Sequence, residues 1–148
     1  MGYASVNYIY KPSNCKDLLS SIQKYGAIEF QQDMVLHDAN YWIDLRIQEE
    51  EASTLLFIRI ALCNPDAVLE RFIHLLEYLF STLGGGLYDL QTQKRYTNDL
   101  TEENIEEIIK AYHRRKAEFV VAYGDWAVAV SEPEFFRLRR EQDNPGSE

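Results

Sequence analysis

Cysteine is scarce in this sequence: Cys15 and Cys63 are the only two in 148 residues. Two are too few for a disulfide scaffold, and they show no metal-ligand spacing. Each sits in an apolar pattern that suits a small buried thiol in a reducing compartment. Histidine is almost as sparse. His37, His74 and His113 are far apart in the chain, with no HExxH or HxH arrangement, so no zinc site is expected. His74 falls on the more polar side of a helical segment, and His113 belongs to a solvated basic helix end. There is no Gly-x-Ser-x-Gly elbow, and Cys63 closes a strand that reads as buried, whereas a nucleophile needs exposure and a nearby base. The glycine run Gly84-Gly85-Gly86 follows a helical segment, whereas phosphate cradles precede one, so it reads as a helix stop. No catalytic residue, cofactor or metal is expected.

Long apolar runs are also missing. No segment reaches the roughly 20 residues of a membrane span, and the first residues lack a basic stretch followed by an apolar one. The chain begins Met-Gly, but Val6 stands where myristoylation favours Ser or Thr. Cytoplasmic residence is the expectation. Positive charge is in deficit, with 15 Lys and Arg against 24 Asp and Glu and a net charge of −9. Such a surface repels nucleic-acid phosphates and anionic lipid and attracts a basic partner. Neither nucleic acid nor membrane is therefore expected as a ligand. Hydrophobic residues at 46% argue against global disorder. With no repeat, low-complexity tract or Gly/Pro-rich linker, residues 1–140 read as a single domain, and 141–148 as a frayed tail.

The patterning is that of strands and helices in alternation. Val6, Tyr8 and Tyr10 share one face of a strand over residues 4–10. Ser13 or Asn14 is placed to cap a helix running to about Tyr25, with Cys15, Leu18, Leu19 and Ile22 as its apolar stripe and Gly26 as its stop. Ile28, Phe30, Met34 and Leu36 suggest a strand with an irregular middle. The segment YWIDLRIQ alternates cleanly, placing Tyr41, Ile43, Leu45 and Ile47 on the core side and Trp42, Asp44, Arg46 and Gln48 on the other. Residues 55–63 are apolar except for Arg59 and read as a central, covered strand. Asn64-Pro65-Asp66 opens a helix to about Leu83, with Asn64 as the cap and Pro65 at the first helical position. Leu87–Leu90 and Arg95–Thr97 suggest a small hairpin. Asp99 with Glu102 resembles a capping box for a further helix, whose buried face is Ile105, Ile108, Ile109 and Tyr112. Residues 119–123 and 126–130 read as a closing hairpin, with continuation of the helix to Val121 as the alternative, and Glu132-Pro133 opens a last short helix. The predicted fold class is α+β: a mostly antiparallel sheet with helices packed on it, in the approximate order βαβββαβαββ.

Two surfaces stand out as candidate partner-binding sites. Glu102, Glu103, Glu106 and Glu107 fall on one side of their helix, opposite its isoleucines. Two i,i+4 like-charge pairs there oppose helix formation, and the proximity of the helix N-terminus offsets them. Such a cluster is either a solvated face or a docking surface that accelerates association with a basic protein. Glu49, Glu50 and Glu51 divide in the same way at a predicted turn. The second surface is the strand face of Trp42, Asp44 and Arg46, where a large aromatic stands beside both charges, as at contact surfaces.

The stretch from YWIDLRI through IRIALCNPD to GGGLYDLQTQKRY resembles the immunity proteins of bacterial polymorphic-toxin systems. The likeness lies in the helix–glycine–strand passage, with Leu87-Tyr88-Asp89, then Gln91-Thr92 and Tyr96, over about residues 40–100. It implies stoichiometric neutralisation of a cognate protein toxin, and a basic toxin would fit the carboxylates best. A small ligand-binding protein or enzyme using the face around Trp42, Asp44 and Arg46 is the alternative, which requires a concave pocket there. An adaptor or homo-oligomerising module is a third.

Overall fold

In a computed structural model, which describes residues 5–13, 17–50, 52–97 and 100–123, period-two alternation in the strands and 3.6-residue periodicity in the helices converge on one hydrophobic layer. The elements are β1 (Ser5–Lys11), α1 (Leu18–Tyr25), β2 (Ile28–Phe30), β3 (Asp33–Asp38), β4 (Tyr41–Glu49), β5 (Thr54–Ala61), α2 (Ala67–Leu83), β6 (Gly86–Asp89), β7 (Lys94–Thr97) and α3 (Glu102–Tyr123). All seven strands form one antiparallel sheet in the order β2-β3-β4-β5-β1-β6-β7. The first strand thus lies inside the sheet, between β5 and β6. The α+β class with helices on an antiparallel sheet is as the patterning predicts.

One sheet face is sealed. Val6, Tyr8 and Tyr10 of β1, Ile43 and Leu45 of β4, and Leu56, Ile58 and Ile60 of β5 join Phe72, Leu75, Leu76 and Leu79 of α2 in a continuous core. Side chains of this size contribute about 1.5–3 kcal/mol each when fully buried, so α2 over β1, β4 and β5 dominates the packing. Tyr8 stacks on Phe72 with ring centroids 4.6 Å apart. The Tyr10 hydroxyl donates to Leu79 O at 3.1 Å and also bonds Gly84 O, so a sheet residue satisfies carbonyls at the end of α2. Tyr78 Oη donates to Ser21 O at 2.9 Å, fastening α1 to α2. Ile108, Tyr112 and Phe119 bring α3 into the same core.

Several local expectations are corrected. The irregular strand is a hairpin: Phe30 pairs with Asp33 across a turn in which Gln31 takes a positive φ of 56°. The turn puts Ile28 and Phe30 on the opposite face from Met34 and Leu36, and Ile28 is exposed. In α1 the buried residues are Leu18, Ser21 and Ile22, and Leu19 is exposed because it lies one position off the stripe. Ser13 does not cap α1: its backbone N–H donates to Leu83 O, and Asp17 occupies the cap position without a side-chain bond. Asn14 and Cys15 lie outside the described residues.

Asn64 does not cap α2 either. Asp66 occupies that position, and the Asn64 side chain joins the sheet instead: Oδ1 accepts Trp42 N–H at 2.8 Å while Nδ2 donates to Trp42 O at 3.1 Å and Ala61 O at 2.9 Å. A buried amide thus continues the β4–β5 ladder past the end of β5. Helix α3 starts at Glu102, so Glu102 cannot close a box with Asp99. The cap is Thr101, whose Oγ1 accepts Asn104 N–H at 3.1 Å. Asp99 itself lies outside the described residues. The helix then continues without a break through the predicted strand at 119–123, which gives the order βαββββαββα among the described residues. The expected strand at 126–130, the helix from Glu132 and the tail lie outside them.

Candidate functional site

The face of the sheet turned away from α1 and α2 carries polar and aromatic residues in register beside a few aliphatic ones. Asn7, Arg59 and Asp44 form one row across β1, β5 and β4, and Ile9, Phe57 and Arg46 form the next. Antiparallel neighbours in register bring side chains to within about 5.5 Å at Cβ, so each row is a contact set. Arg59 Nη1 meets Asp44 Oδ2 at 3.3 Å, and the Trp42 indole N–H donates to Asp44 Oδ1 at 2.9 Å. The Arg46 guanidinium lies over the Phe57 ring, 5.0 Å from its centroid.

Asn7, Arg59, Asp44, Phe57 and Arg46 of these rows floor a cavity of about 900 Å³. Its further lining comes from both sides of the sheet: Phe30, Gln31 and Asp33 at the β2–β3 hairpin, and Leu90, Gln91 and Thr92 between β6 and β7. Ala111, Arg114, Arg115 and Glu118 of α3 complete it. These α3 residues sit beside the buried Ile108, Tyr112 and Phe119 stripe, so one helix serves both the core and the cavity. Arg115 Nη1 pairs with Glu118 Oε2 at 3.1 Å. Lys116 anchors the helix by donating to Asn64 O at 2.6 Å and pairing with Asp66 at 3.1 Å.

The wall between β6 and β7 is held by Asp89. Its carboxylate is fully buried, and Oδ1 accepts Gln91 N–H at 2.9 Å, the Gln91 side-chain amide at 2.6 Å and Thr92 N–H at 3.3 Å. Gln91 Oε1 in turn accepts the backbone N–H of Asn7. The turn is therefore tied both to its own strand and to the central one. Asp89 also adds to the buried environment of Tyr8. Burial raises the Tyr8 phenol well above its ordinary value of 10.0, and the neighbouring Asp89, Tyr112 and Tyr96 raise it further. Tyr96 is pushed up to about 12, first by burial and then by Glu107 and Asp89. Burial likewise raises Tyr112, with added contributions from Asp66 and Cys63.

The residues selected from sequence fall in separate places. Asp44 and Arg46 line the cavity, but Trp42 is only 3% exposed. It packs with Val35 and Ala61 and meets Phe30 edge-on at 5.2 Å, so it orients Asp44 from below the surface. Glu49 and Glu50 are exposed at the end of β4, and Glu51 is outside the described residues. Glu102, Glu103, Glu106 and Glu107 are exposed on the first turns of α3, with Glu107 ion-paired to Lys94 of β7. Four strand steps separate β4 from β7, about 19 Å at the usual spacing, so the acidic groups do not form one surface. Sequence reasoning passed over Asn7, Gln91, Arg114, Arg115 and Glu118 as cavity residues. Arg59 carried a signal, as the one charge in an otherwise apolar strand.

A smaller cluster lies on the helix side, where Tyr25 Oη is 2.6 Å from His74 Nδ1 and accepts from Arg71 Nη1 at 3.5 Å. This gives His74 a partner at the surface. Among the described residues no three His, Cys, Asp or Glu side chains come together in a way that could hold a metal ion, and no helix is long and apolar enough to cross a membrane. No protein-family model matches the chain, and neither a curated protein nor a solved structure matches it significantly.

Proposed function

We propose that this protein acts by stoichiometric, non-catalytic binding of a basic protein partner, in the manner of a polymorphic-toxin immunity protein. The observation that carries this is the segregation of charge on α3. Glu102, Glu103, Glu106 and Glu107 stand exposed on its first two turns, whereas Arg114, Arg115 and Lys116 lie further along. Only Glu107 of the four has an ion-pair partner among the described residues. Carboxylates i and i+4 apart repel by a few tenths of a kcal/mol per pair, a cost that a basic partner would convert into attraction. The net charge of −9 adds a long-range field of the same sign. Residues of this kind set the association rate and its salt dependence.

The test is co-expression with the toxic product of a neighbouring gene, followed by titration of the purified pair. Rescue of growth and a one-to-one complex are expected. Reversal to lysine at Glu102, Glu103 and Glu106 should slow association about tenfold or more and flatten its salt dependence. Unchanged association kinetics in that variant would remove the acidic docking mode. The cavity over Asp44 and Arg46 gives a ligand-binding role its own support, because the alternative reading requires a concave site at that position.

A further inference from the structure

We infer that the cavity on the open sheet face is a binding site for a small phosphomonoester of about mononucleotide size. Neither immunity activity nor the acidic turns of α3 enter into this inference. Three observations converge on it. The volume of about 900 Å³ falls within the range of small-molecule pockets and exceeds what a single ion fills. The sign of its charge opposes that of the chain: four arginines line it against three carboxylates, in a protein where acidic groups outnumber basic ones 24 to 15.

The third observation is how those charges are committed. Arg59 is engaged with Asp44, and Arg115 with Glu118. Arg46 and Arg114 make no ion pair among the described residues, and both line the cavity. Arg46 is steadied over the face of Phe57, which leaves the N–H edge of its planar fork available to two oxygens at once. Guanidinium groups suit phosphate oxygens, which accept charge-assisted hydrogen bonds. The remainder of the ligand would meet Asn7, Gln91 and Thr92, on a wall where Asp89 holds the backbone of Gln91 and Thr92 and the Gln91 side-chain amide, and Gln91 Oε1 accepts the Asn7 backbone N–H. A wall already ordered in this way lowers the ordering cost of binding. The lining draws on three separate parts of the chain around a compact floor, a shape that suits a small molecule better than an extended peptide.

Isothermal titration calorimetry of the full chain at low salt tests this with adenosine 5′-monophosphate, ribose 5-phosphate and adenosine. Saturable one-to-one binding is expected for at least one of the two phosphates, and none for adenosine. Arg46→Gln and Arg114→Gln should each weaken phosphate binding about tenfold. Arg71→Gln, beside Tyr41 on the other side of the sheet, should leave it unchanged. Circular dichroism and thermal melting of each variant separate loss of binding from loss of fold. The inference is overturned if neither phosphate saturates up to about 10 mM. It is equally overturned if adenosine binds as well as its phosphate, or if folded Arg46 and Arg114 variants bind like the parent.

Discussion

Replacing Asn64 separates two roles that the same residue could play at the start of α2. In the structure its side chain makes three buried hydrogen bonds, two of them with the backbone of Trp42 and one with Ala61 O. A net contribution of about 1 kcal/mol per bond, with added cost for the Trp42 N–H left buried and unpaired, gives a loss of about 2–4 kcal/mol for Asn64→Ala. That is a large share of the roughly 5–15 kcal/mol typical of a domain, and corresponds to a fall in Tm of about 6–14 °C. Urea unfolding followed by circular dichroism should show a lower midpoint with an unchanged slope. The decisive variant is Asn64→Asp. Aspartate is as good as asparagine at a helix N-cap, so a capping role would leave stability almost intact. In the ladder role, aspartate keeps the acceptor for Trp42 N–H and loses both donors. It then sets a carboxylate oxygen against the carbonyls of Trp42 and Ala61 in a buried site, and should destabilise at least as much as alanine. An Asn64→Asp variant as stable as the parent would refute the ladder assignment.

Gly85→Ala should cost about 3 kcal/mol or more and exceed Gly84→Ala in paired urea melts. A Cβ at Gly85 would lie 2.0 Å from Lys11 O at a φ of +95°, whereas at Gly84 its nearest neighbour is Ser13 Oγ at 3.2 Å. Equal losses at the two positions would contradict the close approach to β1. Alkaline pH should unfold the protein cooperatively. The buried phenols of Tyr8, Tyr96 and Tyr112 have folded pKa values raised above the unfolded value of 10.0. Between that value and the folded ones the native state holds more protons than the unfolded chain, so stability is complete below about pH 10 and falls as pH rises beyond it. Tyrosinate absorbance from these groups should therefore appear together with loss of far-ultraviolet circular dichroism, and ionisation without unfolding would contradict their burial.

How much could be read from sequence depended on whether the deciding contacts were local. The clean alternation from Tyr41 to Gln48 located both faces of β4, and the stripe from Val68 to Leu83 located the buried side of α2, because each pattern contains its own period. The caps were misplaced for a different reason. Asn64 has the right chemistry for a cap, but Trp42, twenty-two residues earlier, claims it. At α3 both Asp99 and Thr101 have capping chemistry, and the helix starts after the second. The turn at Gln31-Gln32 has no glycine or asparagine to announce it, so two short strands read as one. The candidate site was only half visible. Asp44 and Arg46 come from a legible strand, but Asn7, Gln91 and Arg114 reach the same cavity only through the position of β1 inside the sheet and the path of α3.

Leu87, Asp89, Gln91 and Tyr96, among the residues that carry the resemblance to immunity proteins, have internal duties in this fold. Leu87 and Tyr96 are buried partners across β6 and β7, and Asp89 commits one carboxylate oxygen to Gln91 and Thr92. Gln91 then ties the turn to β1. This set explains the spacing of Asp, Gln and Thr without reference to any partner: a buried acceptor needs donors two and three residues on, and an Asx-type turn supplies them. What the motif specifies is therefore a hairpin placed beside the central strand. The two proposed contact surfaces lie instead in exposed groups outside this set, the carboxylates of α3 for a protein partner and the cavity arginines for a small ligand. It follows that exchanging Glu102, Glu103 and Glu106, or Arg46 and Arg114, should alter what is bound while leaving the fold intact. Exchanging Asp89 should instead unsettle the hairpin and every binding property together.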